Sequence, residues 1–170
     1  MKKLSLFVIA VTAATLAAGT DLPVDGKFRQ ISNGLPRQWE ISPAGTAKIT
    51  SGEDWFSRAL QLTAADTAAA AVSKRAFPVL ISDKIEVEAE IKGSGTAFLA
   101  VVLLDANGKT ISIQRIATAT ATPRFRDIKG SLRLAGIHTE RTIAKVRIII
   151  GAEPGSRVIF DGVDAEIDRD

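Results

Sequence analysis

The chain has 170 residues, of which 46% are hydrophobic, so it is long and apolar enough for one domain with its own core. It contains no Cys, which excludes a thiolate nucleophile, a thiolate metal site and a disulfide framework. The net charge of +3, from 22 basic and 19 acidic residues, is too small to indicate a nucleic-acid partner.

The first 19 residues, MKKLSLFVIAVTAATLAAG, have the pattern of a cleaved secretory signal. Two Lys residues form a positive start, an apolar stretch runs to Leu16, and small residues follow to Gly19. The apolar stretch is shorter than the ~20 residues of a bilayer span, so we expect no transmembrane anchor in the mature chain. Cleavage would leave 20 basic and 19 acidic residues. The sequence therefore predicts export to the periplasm, the cell surface or the medium, with one domain over residues 20–170.

Short apolar runs alternate with turn-forming segments in the first half of the mature chain. The turns contain Gly, Pro, Asn or Asp, as in SNGLP, SPAG and TSGED. Trp55 and Phe56 fall in one of these turn-rich segments, TSGEDWFSR. Strands are predicted at Lys27–Ile31, Gln38–Ile41, Ala47–Thr50, Arg58–Ala64 and Ala68–Lys74.

Apolar and acidic residues alternate in KIEVEAEIKG, which predicts a strand with one buried and one wet face. Its three carboxylates, on Glu86, Glu88 and Glu90, lie roughly 6–7 Å apart by strand rise. That spacing meets the about 6.5–9.5 Å of an inverting glycosidase. However, a glycosidase needs an aromatic-lined cleft, and only 5% of the residues are aromatic. We interpret these residues as a solvated face paired with Lys and Arg of neighbouring strands.

The second half begins with TAFLAVVLLD, residues 96–105, which is apolar on both faces and predicts a central strand. Gly93–Gly95 predicts a hairpin turn before it, and Asn107–Gly108 predicts another after it. Further strands are predicted at Phe125–Leu134, Thr142–Gly151 and Arg157–Ile167. Roughly ten strands and no convincing helix indicate an all-β, antiparallel sandwich or barrel.

The order of motifs resembles that of bacterial carbohydrate-binding modules with a galactose-binding-like jelly roll. VDGKFRQISNGLPRQWEIS supplies an early Gly-x-Phe, a Gly-rich turn and Trp39. FLAVVLLDANGKTI is similar to the middle hairpin of that family, and RVIFDGVDAEI places Asp161 at its characteristic Asp. The resemblance spans nearly all of the mature chain and implies a jelly-roll β-sandwich that often binds glycans. It does not imply binding in every member, because the fold hosts many functions.

Three residues are expected to have structural roles. Trp39 is expected to pack against the sandwich rather than contact a ligand. Asp161 interrupts a predicted apolar strand face made of Ile159, Val163, Ala165 and Ile167. It is therefore expected at a strand end or at a bulge at Gly162. A buried carboxylate there needs a partner, either backbone N–H groups, Arg29 or a calcium ion. We favour Arg29, which stands where the family often has an acid, and calcium at Asp161 is the weaker alternative.

The ligand-binding candidates are Trp55 and Phe56, since aromatic residues on a loop are better placed for recognition than aromatic residues in a core. The alternative is that they cover one end of the sandwich. Catalysis is not expected, because the single His138 cannot build a multi-His metal site and no nucleophile motif accompanies it. The leading hypothesis is an exported, non-catalytic carbohydrate-binding domain without a cofactor. It would bind a polysaccharide or glycan on a sheet face or through the loops at one end. The alternative is a structural or protein-interaction component of the cell envelope.

Overall fold

The computed structural model describes residues 19–54 and 56–169, so the predicted signal before Gly19 and the candidate Trp55 lie outside the described residues. The described part contains a 3₁₀ turn at Leu134–Gly136 and no α-helix, and therefore no helix long and apolar enough to cross a membrane. Its fourteen strands are β1 (Thr20–Asp21), β2 (Ile31–Ser32), β3 (Leu35–Pro36), β4 (Trp39–Ser42), β5 (Ala47–Ser51), β6 (Arg58–Thr63), β7 (Ala69–Ser73), β8 (Phe77–Pro78), β9 (Lys84–Ser94), β10 (Thr96–Leu104), β11 (Thr110–Thr120), β12 (Arg126–Arg133), β13 (Lys145–Ala152) and β14 (Arg157–Asp168).

Two antiparallel sheets form the sandwich. The first has the order β12-β9-β14-β6-β5, with β1 beside β14, and the second has the order β11-β10-β13-β7-β4, with β8 beside β13. Strands β2 and β3 form a separate small hairpin. Ten of the described strands have four or more residues and form the main paths of the two sheets, and β1 and β8 each add one short strand. The predicted all-β jelly-roll sandwich of roughly ten strands is confirmed.

The core between the sheets follows the period of two in the sequence. In β9, the residues Ile85, Val87, Ala89 and Ile91 are at most 3% exposed and meet residues of the second sheet. Strand β10 is apolar on both faces, as predicted, because it serves two clusters. Leu99 and Leu103 enter the central core, whereas Phe98 and Val102 belong to a second cluster on the outer face of the second sheet.

The predicted hairpin at Gly93–Gly95 is wrong. Strand β9 pairs with β12 and β14, whereas β10 pairs with β11 and β13, so this segment crosses from one sheet to the other. The glycines are needed for close approach rather than for a hairpin. A Cβ on Gly93 would lie 2.1 Å from the carbonyl oxygen of Arg157, and one on Gly95 would lie 2.3 Å from Ser156 Oγ.

The predicted hairpin at Asn107–Gly108 is confirmed, since it joins the paired strands β10 and β11. The Asp105 carboxylate accepts hydrogen bonds from the N–H groups of Asn107 and Lys109, at 3.0 and 2.9 Å. Gly108 adopts the left-handed conformation that the turn requires, with φ +81°.

The strand predicted at Lys27–Ile31 is a turn up to Gln30, and regular structure begins only at Ile31. The Asp25 carboxylate accepts hydrogen bonds from the N–H groups of Arg29 and Gln30, at 3.0 and 3.1 Å, and this replaces strand pairing. Phe28 anchors the turn because its side chain is fully buried and its ring lies 5.9 Å from that of Trp39. The side chains of Lys27 and Arg29 are left at the surface.

A β-bulge divides β14. Its pairing with β9 shifts between Asp161 and Asp164, and Gly162 has φ +56°, so the bulge predicted at Gly162 is confirmed. The predicted apolar face that included Ile159 is wrong, because the extra residue changes which positions point inward. The residues that point into the core are Val158 and Phe160 before the bulge, and Val163, Ala165 and Ile167 after it.

Candidate functional site

Asp161 is a buried carboxylate, 4% exposed, that joins the bulge of β14 to the loop between β5 and β6. Its Oδ2 accepts hydrogen bonds from the Glu53 N–H at 2.8 Å and from the Ser57 hydroxyl at 3.1 Å. Its Oδ1 accepts one from the Gly162 N–H at 2.8 Å. These donors take the place of the Arg29 guanidinium that we favoured from the sequence. Arg29 is instead exposed, on the turn held by Asp25.

The same contacts test the calcium alternative at Asp161. Both of its oxygens face N–H or O–H donors, whereas calcium is held by a shell of six to eight oxygen ligands. In residues 19–54 and 56–169, no group of three or more His, Cys, Asp or Glu side chains is placed to hold a metal ion. The surroundings of Asp161 fit a hydrogen-bonded structural carboxylate and do not fit a calcium site.

The loop over Asp161 is tightly folded. The Gly52 N–H donates to the carbonyl of Ser57, and the Ser57 N–H donates to the carbonyl of Asp54, both at 3.0 Å. A Cβ on Gly52 would lie 2.1 Å from both Asp161 Oδ2 and Ser57 Oγ, so a larger residue there would displace these two side chains. Phe56 projects from this loop with 93% of its surface exposed. An aromatic side chain is thus held in water on a loop that is anchored to the core.

An open pocket of about 690 Å³ lies beside Phe56, and we call it the loop pocket. It is lined by Lys27, Arg29, Asp54, Phe56, Ser57 and Arg58. Three of these six residues are cationic and one is anionic. The three cations come from two segments, the turn after Gly26 and the start of β6, which the sandwich brings together. One hydrogen bond joins the segments, from Arg58 Nη1 to the carbonyl of Arg29 at 3.3 Å.

Glu90 lies beside the buried carboxylate, directly across from Asp161 on β14 and from Asp127 on β12. Burial and, after it, the adjacent Glu53 carboxyl raise the pKa of Glu90, and with smaller contributions from Asp161 and Asp127 the pKa reaches about 7. Between pH 4.5 and 7 the folded protein therefore binds more protons than the unfolded chain. The free energy of unfolding is expected to fall as the pH rises through this window.

Glu90→Gln is expected to remove this pH-dependent loss. The full shift of the Glu90 pKa corresponds to roughly 3 kcal/mol of unfolding free energy. Because the carboxyl is partly open to water, we expect Glu90→Gln to raise the free energy of unfolding by about 1 kcal/mol at pH 8 and not at all at pH 4.5. Urea unfolding at the two pH values measures the difference. Glu88→Gln is the matched control, because Glu88 is the next outward-facing carboxylate on β9. Its free energy of unfolding should lie within ~0.5 kcal/mol of the wild-type value at both pH values. An equal change at both pH values would contradict the titration of Glu90.

Two of the three outward carboxylates of β9, Glu86 and Glu88, are ion-paired as predicted from the alternating sequence. The prediction is wrong for Glu90, which is partly buried beside the carboxyls of Glu53, Asp161 and Asp127. Lys129 on β12 lies 3.0 Å from Glu86 and 3.4 Å from Glu88, and Lys84 also contacts Glu86. Hydrogen bonds from Lys84 and Lys129 hold the pKa of Glu86 below its usual value. A groove of about 350 Å³ on this face is lined by Asp21, Glu86, Glu88, Lys129, Asp164 and Glu166 among others, and we call it the acidic groove.

The outer face of the second sheet has one aromatic ring, and that ring is covered. Phe98 lies over Gly151, where a Cβ would be 2.1 Å from its Cζ. The Arg115 guanidinium lies 4.3 Å from the centre of the ring and is ion-paired with Glu153. Ile113, 60% exposed, is the open apolar side chain nearby. Between the two surfaces proposed from the sequence, the loops at one end and a sheet face, only the loops present a free aromatic among the described residues.

The structure therefore separates the sequence-predicted residues into two groups. Trp39 is 2% exposed and belongs to the core, and Asp161 holds the loop from below. Phe56 and Arg29 meet at the loop pocket, although Arg29 was expected to pair with Asp161. The sequence analysis did not identify Lys27 and Arg58 as site residues. Each is an isolated basic residue, and no local motif marks such a residue as part of a binding site.

Neither a family model nor a curated protein matches this chain. Among solved structures it is similar to the CBM22-1 xylan-binding domain from Paenibacillus barcinonensis Xyn10C, with a TM-score of 0.58 and 14% identity over 85% of this chain and 93% of that chain. It is also similar to the Stig cyclase Fisc from Fischerella sp. TAU, with a TM-score of 0.62 and 10% identity over 89% and 99% of the two chains. A third similar structure is the α-L-arabinofuranosidase MgGH51, with a TM-score of 0.62 and 10% identity over 92% of this chain and 27% of that chain. The chain thus has the β-sandwich fold of carbohydrate-binding modules, on which binding domains and enzymes are both built.

Proposed function

We propose that the protein is an exported, non-catalytic carbohydrate-binding domain that uses the loop pocket. The observation that carries the proposal is Phe56, a large aromatic side chain held 93% exposed beside a pocket of polar and charged groups. An exposed aromatic of this kind costs free energy in water, so its presence on an anchored loop favours a binding role. Export rests on the signal pattern of residues 1–19.

The arrangement suits a sugar ring. An aromatic face packs against the apolar C–H surface of the ring, while neighbouring donors and acceptors bind its hydroxyl groups. In the loop pocket the donors are Lys27, Arg29 and Arg58, and the acceptors are Asp54 and Ser57. A pocket with a few placed polar groups beside an apolar surface is the general form of a small-molecule site. The similar fold of a xylan-binding domain supports a saccharide as the ligand class.

The carboxylates support binding better than catalysis. Glu90 has the raised pKa of a candidate general acid, and Asp161 lies opposite. Neither residue lines the loop pocket or the acidic groove, and Asp161 is 4% exposed with both oxygens hydrogen-bonded. Glu86 and Glu88 are ion-paired to Lys129. A glycosidic bond bound at Phe56 would therefore have no acid–base pair facing it within the described residues.

Phe56→Ala is expected to lower affinity for the bound polysaccharide by about tenfold, the equivalent of ~1.4 kcal/mol for a lost aromatic contact. Affinity gel electrophoresis against a panel of soluble polysaccharides measures it. Leu80→Ala is the matched control, since Leu80 is 63% exposed on another loop. This variant should bind the polysaccharide as tightly as the wild-type protein does. Trp55→Ala tests the neighbouring residue proposed from the sequence. If no polysaccharide retards the wild type, or if Phe56→Ala binds equally well, the proposal fails.

A second candidate function is assembly with a second copy of the chain, as a structural component of the cell envelope. The observation that favours it is the apolar outer face of the second sheet, which contains the cluster of Phe98, Val102 and Ile149. Ile113, the cross-strand neighbour of Val102, is 60% exposed. Light scattering of the purified protein decides this candidate. Species larger than a monomer that disappear in Ile113→Lys would support it, and a monomer at all concentrations would exclude it.

A further inference from the structure

We propose that the loop pocket recognises an acidic sugar, through a carboxylate-bearing unit such as a uronic acid. This inference deepens the proposed function and rests on it. The observation is the charge of the pocket, whose lining has three cations, Lys27, Arg29 and Arg58, against the single anion Asp54. A neutral glycan needs no such excess of positive charge.

The cationic groups are available for a ligand. In the described part of the chain, no carboxylate lies within ion-pairing distance of Lys27, Arg29 or Arg58. Five other cations, Lys84, Arg115, Lys129, Arg141 and Arg147, have such partners, and exposed cations outside the pocket, such as Lys48 and Arg124, have none among the described residues. What distinguishes the loop pocket is that three unpaired cations lie on one wall. Cations that the fold leaves unpaired on one pocket wall attract an anion more strongly than paired ones.

The nearby carboxylates are already committed to other groups. Asp25 accepts the N–H groups of Arg29 and Gln30, so it holds the turn rather than neutralising the guanidinium. Asp161 is buried under the loop, where it accepts the Glu53 N–H and the Ser57 hydroxyl. Asp54 alone faces the pocket with a free carboxylate among the lining residues, and it is an acceptor for sugar hydroxyls.

The positive surface is too small for a long polyanion such as a nucleic acid. Lys27 is close enough to Asp164 to lower its pKa, although burial and Glu88 raise that pKa overall. Asp164 belongs to the acidic groove, together with Asp21, Glu86, Glu88 and Glu166. A nucleic acid that extended from the loop pocket toward the acidic groove would bring its phosphates close to these carboxylates and be repelled. One carboxylate on an otherwise uncharged sugar chain would not be repelled in this way.

The two arginines suit a carboxylate in shape as well as in charge. A guanidinium presents parallel N–H donors that match the two oxygens of a carboxylate. Arg58 Nη1 already donates to the carbonyl of Arg29, which keeps the start of β6 and the turn after Gly26 together. A uronate bound between them would pack its ring on Phe56 and direct its carboxylate toward the guanidinium groups.

Calorimetric titration with two matched pairs of sugars tests the inference. The first pair is xylotetraose with one glucuronic acid branch and its methyl ester. The second pair is tetragalacturonate with a single free carboxylate, its other three carboxyls being methyl esters, and the fully esterified sugar. In each pair, esterification removes the charge of one carboxyl and adds one methyl group, and the rest of the sugar is the same. We expect the acid of at least one pair to bind about tenfold more tightly than its ester in 50 mM salt, with the preference shrinking in 0.5 M salt.

Arg29→Gln and Arg58→Gln are each expected to lower affinity for the acid about fivefold or more. Affinity for the ester should fall by a smaller factor, because the Gln amide can still donate to a sugar hydroxyl, so the preference for the acid should shrink. Arg124→Gln is the matched control, an exposed arginine that does not line the loop pocket. Equal binding of acid and ester in both pairs would overturn this inference and leave carbohydrate binding intact. No binding of any polysaccharide would overturn the proposed function itself. Tighter binding of a single-stranded oligonucleotide than of either acid would overturn the choice of a sugar.

Discussion

Asp161→Ala is expected to lower the free energy of unfolding by about 3 kcal/mol and to abolish binding at the loop pocket. The substitution leaves two donors without their acceptor, the N–H groups of Glu53 and Gly162. The Ser57 hydroxyl loses its bond to Asp161 but can still donate to the carbonyl of Asp54 at 3.0 Å. An unsatisfied buried donor costs about 1–3 kcal/mol, and relaxation of the loop into water recovers part of the sum. The loop that presents Phe56 then loses its tie to β14, so the loss of binding should exceed that of Phe56→Ala.

Urea unfolding and affinity gel electrophoresis measure the two effects. Asp161→Asn retains one acceptor oxygen and should lie between wild type and Asp161→Ala in stability. Asp66→Ala removes an exposed carboxylate on another loop and should stay within ~0.5 kcal/mol of wild type. A loss below about 1 kcal/mol for Asp161→Ala would show that the carboxylate does not anchor the loop.

Gly26→Ala is expected to cost about 4 kcal/mol, because there is no space for a side chain at this position. A Cβ would lie 1.6 Å from the carbonyl oxygen of Val163 and 2.5 Å from its carbon. These are backbone atoms of β14, so neither can move aside by a rotamer change, and the turn must leave the strand. The displaced segment includes Lys27 and Arg29, so two of the three cations of the loop pocket would move with it.

Thermal unfolding of Gly26→Ala against Gly136→Ala tests this expectation. Nothing lies within 4 Å of a Cβ on Gly136, so that variant should unfold near the wild-type temperature. For a chain of this size a cost of 4 kcal/mol corresponds to a fall in Tm of roughly 10 °C or more. A Tm of Gly26→Ala within about 2 °C of wild type would show that the turn does not need this close contact.

Local sequence patterns predicted most strands, because apolar and polar residues alternate with a period of two along a strand that covers a core. KIEVEAEIKG became β9 with its four apolar residues in the core, and Asn107–Gly108 closed a hairpin. The bulge at Gly162 was also predictable, since an Asp-Gly pair interrupts an apolar strand face. Each of these features is decided by residues that are neighbours in the chain.

The errors concern partners that are distant in the chain. Gly93–Gly95 has the composition of a hairpin turn, but the sheet that each flanking strand joins depends on β12 and β13, which come later. The segment Lys27–Ile31 reads as a strand, but the Asp25 carboxylate binds its N–H groups and Phe28 is buried against Trp39. Tertiary packing overrode the local preference in both cases.

By itself the sequence determined the all-β sandwich, the positions of its longer strands and the importance of Asp161. These follow from periodicity, turn residues and the cost of burying a carboxylate, which act locally. Only the tertiary structure decided what Asp161 binds, since the Glu53 N–H is 108 positions away in the chain. It also placed Arg29 and Arg58 side by side and left them without carboxylate partners among the described residues. The charge of a pocket belongs to the surface that the fold assembles, so no stretch of sequence contains it.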